Sequence, residues 1–95
     1  MSRTFKFNHE HVAERKVRNE YVLIPVTSTY GQNGQLLDLN PLAARIWEAA
    51  KEGASESSIS DRLAEEYEAS PQNIIEDVSS ILDELVAFGA LVEIP

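Results

Sequence analysis

The sequence predicts an α+β domain, winged-helix-like, with a small antiparallel β-sheet of two or three strands followed by three α-helices. Three observations predict it. Apolar residues alternate with period two before Asn40 and recur at helical spacing after it. Asn33-Gly34, a dipeptide that tolerates positive φ, separates two strand-forming runs. Asn40-Pro41 and Ser70-Pro71 each place a capping side chain before a proline that loses nothing at a first helical position.

The elements follow in order. The run YVLIPVTS reads as a strand, and Pro25 suggests that it lies at an edge or a bulge because proline cannot donate a ladder hydrogen bond. Ser28 to Gln35 reads as a hairpin loop, and Gln35 to Leu39 as the returning strand. A further strand, weaker by propensity, is expected at about His11 to Val17. After Asn40, Ala43, Ile46, Trp47 and Ala50 form a helical stripe that Gly53 stops. A second helix after Ser55 puts Ile59, Leu63 and Tyr67 on one face. A third runs from Ser70-Pro71 to Gly89, with Ile74, Ile75, Val78, Ile81, Leu82, Leu85 and Val86 as its apolar stripe. The tail ALVEIP reads as a short strand or an extended segment packed on the third helix. Residues 1–11 are expected to be a flexible extension and 12–95 a single domain.

Composition narrows the function. The chain has 95 residues, 43% of them hydrophobic, enough for a core without staples. With no cysteine, disulfides, thiolate metal sites and cysteine nucleophiles are excluded. No apolar run resembles a signal peptide or reaches membrane-spanning length, so a cytoplasmic location is expected. The net charge of −8 is uneven: residues 1–30 carry five bases against three acids, residues 31–95 three bases against thirteen acids. The helical half would repel a phosphate backbone. His9-Glu10-His11 sets two histidines on one face of an extended segment, but no third ligand stands at a fixed spacing, so no metal is expected. No nucleophile elbow and no glycine-rich phosphate loop is present.

Residues 12 to 92 resemble the PqqD-like family, the elements that recognise precursor peptides of ribosomally made, post-translationally modified products. The resemblance rests on YVLIP, LLDLNPLAARIWEAAKEG, SISDRLAEEYEAS and DVSSILDELVAFGALVE in that order. It implies a scaffold without catalysis or cofactor, which binds a leader peptide as an added strand beside the third helix. The peptide then passes to a modifying enzyme, often of radical SAM type. The loop from Ser28 to Gln35 and the first 11 residues depart from a plain PqqD, which favours a pathway other than pyrroloquinoline quinone synthesis.

Strand addition needs an open edge and an adjacent groove. The expected edge is Gln35, Leu36, Leu37, Asp38 and Leu39, with Leu37 and Leu39 facing the core and Leu36 and Asp38 facing away. The expected groove wall is the flank Asp77, Ile81, Glu84 and Phe88 of the third helix. Its two acids and two apolar groups suit a peptide pairing Lys or Arg with Leu or aromatic residues. Read without the resemblance, Leu36 and Asp38 are a solvent-side pair, the helix acids a solvated face, and Trp47 a core anchor.

Two other functions compete. A winged-helix DNA-binding regulator would need a basic recognition helix. Residues 70–92 hold no Lys or Arg, while Glu76, Asp77, Asp83 and Glu84 are acidic. A structural subunit whose hairpin edge pairs with another copy would be a homodimer.

Overall fold

The computed structural model describes residues 2–26, 36–68 and 70–95. Its elements are β1 (Thr4–Phe7), β2 (Val12–Val17), β3 (Glu20–Pro25), β4 (Leu37–Leu39), α1 (Pro41–Lys51), α2 (Glu56–Tyr67), α3 (Pro71–Phe88) and β5 (Leu91–Ile94). The expected antiparallel sheet of two or three strands is present with three, in the order β2-β3-β4, and the three helices follow it. A second, two-stranded ladder pairs β1 with β5. The expected hairpin turn at Asn33-Gly34 lies outside the described residues.

Most helix ends are set by the residues that the sequence marks. Asn40 accepts a hydrogen bond from the Ala43 amide at 2.8 Å and Pro41 opens α1. The chain leaves α1 through Gly53 at φ +97° and leaves α3 through Gly89 at φ +95°, backbone that a Cβ disfavours. Ser55 caps α2 through the Ser58 amide at 3.2 Å. Ser70 departs from expectation: its side chain makes no capping bond, and Pro71 alone marks the start of α3.

β3 is central, not an edge, and the register explains how it tolerates Pro25. Val26 donates to the His11 carbonyl at 2.8 Å, so the next pair inward, Val12 with Pro25, is a pair without mutual hydrogen bonds. Pro25 therefore owes β2 no donor, and the ladder to β4 ends at Leu23.

The core joins both sheets to the helices through Trp47, Phe5, Leu23, Ile46, Ile59, Leu82, Leu85 and Leu91, all fully buried. Trp47 is the core anchor expected of it. Phe7 meets it edge-on, ring centres 5.0 Å apart, and its Nε1 donates to Glu14 Oε1 at 2.7 Å.

The expectation of a flexible extension fails for residues 4–7. Phe5 is 1% exposed, and β1 pairs with β5 over Thr4 to Phe7. Burying an aromatic ring outweighs the cost of ordering a short terminus. The same pairing turns the C-terminal tail into a strand in which Leu91 is buried and Val92 is exposed. His9 and His11 do not share a strand face, because residues 9–11 form the turn between β1 and β2.

Candidate functional site

The candidate site begins at the outer edge of β4. Hydrogen-bonded pairs alternate along a ladder, and His11 with Val26 sets the phase. Ile24, Val22 and Glu20 thus bond toward β2, while Leu23 and Tyr21 bond toward Leu37 and Leu39 on β4. The main-chain N–H and C=O of Asp38 then face away from β3, toward the edge. No other strand pairs with β4 among the described residues.

Side chains of β4 alternate across the sheet. Leu39 is buried opposite Tyr21, and Leu37 is half-buried against the core opposite Leu23. Asp38 is exposed on the other face, and Leu36 is 56% exposed. The sheet therefore separates Leu36 and Asp38 from Leu37 and Leu39, as the sequence pattern implied. Gln35 lies outside the described residues.

On α3, Ile74, Val78, Leu82 and Leu85 form the buried stripe. Asp77, Ile81, Glu84 and Phe88 recur at spacings of four, three and four along one border of it. Ile81 and Phe88 are half-buried against the core, whereas Asp77 and Glu84 are exposed. The apolar pair thus sits low on the flank and the acids at its rim. Ile75, placed in the stripe by the sequence pattern, is 46% exposed, because it lies on the opposite border.

That opposite border is tied down by residues that no local pattern singles out. Arg3 donates to Glu56 Oε1 at 2.7 Å, to Asp83 Oδ1 at 2.8 Å and to Ser79 Oγ at 3.4 Å. Hydrogen bonds to Glu56 and then Asp83 hold its guanidinium pKa above the ordinary arginine value. The Arg3 carbonyl and the Ser2 hydroxyl accept from the Glu56 and Ser57 amides, so the arm also caps α2. α3 is fastened on its α2 side, and the border carrying Asp77 and Glu84 faces the other way.

Beneath the sheet, Glu14 accepts from both Trp47 Nε1 and Lys51 Nζ. Tyr21 donates to Glu48 Oε2 at 2.6 Å, and that bond, reinforced by burial, pushes the phenol up to about 12. These contacts fix α1 against the inner face of β2 and β3. No cluster of three or more His, Asp or Glu side chains suited to a metal occurs among the described residues, and no helix is long and apolar enough to cross a membrane.

Two surface hollows lined by described residues lie elsewhere. One of about 440 Å³ is lined by Ser2, Glu56, Ser57, Ser60, Asp61 and Ile75, and another of about 350 Å³ by residues that include Lys16, Tyr21, Glu48 and Tyr67. Neither touches β4 or the Asp77 flank. An added strand is held by main-chain groups along an edge and needs no closed cavity, so an open edge can serve as a candidate site without one.

Two solved structures share this fold. "TbiB1 in Complex with the TbiA(beta) Leader Peptide" is 24% identical, with a TM-score of 0.75 over 90% of this chain and 93% of that one. "Lasso peptide synthetase B1 complexed with the leader peptide" is 22% identical, with a TM-score of 0.77 over 93% and 96%. No curated protein matches the chain. The family model described as "Coenzyme PQQ synthesis protein D (PqqD)" matches residues 20–91, most of the sequence, and the chain belongs to the PqqD family.

Proposed function

We propose that this protein is a non-catalytic peptide chaperone that binds a precursor (leader) peptide as a fourth strand along β4, beside α3. It then presents the peptide to a modifying enzyme. The observation that carries the reading is the open edge of β4, where Asp38 turns its N–H and C=O outward. Two structures of the same fold are complexes with leader peptides, which supports assigning that edge to a peptide. Main-chain bonds to the edge would supply affinity. Half-buried Leu37, Ile81 and Phe88 would receive apolar side chains, and Asp77 and Glu84 would attract Lys or Arg. Leu36 and Asp38 contribute backbone to this site, since their side chains lie on the far face of the sheet. A radical SAM enzyme is one partner class that fits the role, and the reaction belongs to the partner.

Asp38→Pro tests the edge. Proline removes the outward N–H while every bond from β4 to β3 remains, and edge strands tolerate it. Titrating a labelled leader peptide that binds the wild type is expected to give equal binding for Asp38→Ala. Asp38→Pro should lose it by about tenfold or more, the worth of a main-chain bond left unmade. Equal binding by all three proteins would exclude strand addition at β4.

A further inference from the structure

The two walls of the proposed groove scarcely touch each other. α3 packs on α2, β5 and α1, while β4 packs on β3 and α1. The spacing between α3 and the open edge of β4 is therefore set from behind, by whatever seats α3 on its other neighbours. Arg3 is built into that seat. Its carbonyl accepts from the Glu56 amide at 2.8 Å, and its guanidinium lies 5.4 Å from the ring centre of Phe5, which is fully buried. Each guanidinium nitrogen serves a different residue: Nε donates to Glu56 on α2, Nη1 to Asp83 on α3, and Nη2 to Ser79 one turn earlier on α3. Glu93 on β5 is a further neighbour, 3.7 Å from Nη1. One side chain thus joins α2, α3 and β5. An isolated surface ion pair contributes little, because two mobile side chains must be ordered to make it. Here the Arg3 side chain is 27% exposed and its main chain is already fixed, so that cost is reduced.

We propose that Arg3 is a positioning residue for peptide capture: it holds α3 by the border away from the peptide and so fixes the distance between that helix and β4. The inference rests on the reading of β4 as the peptide's edge. Asp77, Ile81, Glu84 and Phe88 lie on the border that Arg3 does not touch, so Arg3 acts on the peptide through the helix alone. With the clasp intact, the free protein already holds the groove at its binding width. With the clasp released, α3 is left to its apolar packing, along which helices slide more readily than across directed hydrogen bonds. A fraction of the molecules then keeps the wall in place, and apparent affinity falls by that fraction. The fork of the guanidinium matters as much as its charge. A lysine ammonium is a single point of charge and does not address Glu56, Asp83 and Ser79 at once.

Titration of a labelled leader peptide that binds the wild type tests this, at a temperature where Trp47 fluorescence shows every variant folded. Arg3→Ala should weaken binding about fivefold or more, and Arg3→Lys should recover little of the loss. Asp83→Ala removes one link to α3 while the arm keeps its hold on α2, and it should give a smaller loss in the same direction. Arg45→Ala deletes an equal charge from the exposed Arg45–Glu66 pair between α1 and α2, and it should bind as the wild type does. A second readout needs no peptide. The chain has no cysteine, so nitroxides on Ser80→Cys of α3 and Ala13→Cys of β2, both exposed positions, report the spacing of helix and sheet. Arg3→Ala should broaden that distance distribution. Wild-type affinity in Arg3→Ala overturns the proposal, as does a loss that Arg3→Lys fully restores, an equal loss in Arg45→Ala, or an unchanged distance distribution. Asp38→Pro probes the edge and Arg3→Ala the wall, so strand addition at β4 can stand where this inference falls.

Discussion

Glu14 shows how one side chain ties the sheet to the helices, because it accepts from the indole of Trp47 and the ammonium of Lys51 at once. Glu14→Ala leaves the buried Trp47 N–H without a partner, and chemical denaturation should show a loss of about 1–3 kcal/mol. Tyr21 predicts an alkaline transition. Its folded pKa, about 12, exceeds the ordinary value because it donates to Glu48 and is buried. The stability it contributes is complete below about pH 10 and lost as pH rises through 12. The difference in unfolding midpoint between the wild type and Tyr21→Phe should therefore shrink over that window, and a constant difference would contradict the assignment. Asp77 and Glu84 stand at the rim, so Asp77→Lys or Glu84→Lys should slow association with a basic leader more than it speeds release. Stopped-flow fluorescence separates the two rates, and unchanged association would remove these acids from the site.

At the scale of elements, the legible parts were those specified locally. Asn40-Pro41, Gly53, Ser55 and Gly89 fix helix ends by chemistry confined to one turn, and period-two alternation marks β3 and β4 while β2 is only weakly signalled. The alternation that sets Leu36 and Asp38 against Leu37 and Leu39 is local in the same way, whereas the choice of that edge and of the α3 flank for a peptide comes from the family resemblance. What escaped sequence reading joins the two ends of the chain. Thr4 pairs with Ile94, and Arg3 reaches Asp83, contacts that no window of sequence contains. Phe5 alternates with charged and polar neighbours and looks like any terminal residue until β5 is beside it. Phe5→Ala should cost about 3–5 kcal/mol in urea unfolding, as for a filled core position. A loss below about 1 kcal/mol would return the segment to the status of an extension.

For the molecule as a whole, charge and topology point the same way. β2 and β3 belong to the chain's slightly basic first third, while the acids cluster on α2 and α3. A DNA-binding regulator would present α3 to phosphates, and that helix has no base to offer them. A peptide lying between β4 and α3 would instead meet an open backbone edge on one side and two exposed acids on the other. Its binding is most directly read from amide hydrogen exchange at β4. Leu37 and Leu39 already bond toward β3, so their exchange should be slow with or without the leader peptide. Asp38 should exchange readily in the free protein and become protected once the peptide is bound. A bound peptide that leaves the Asp38 amide exchanging as before would contradict capture by strand addition.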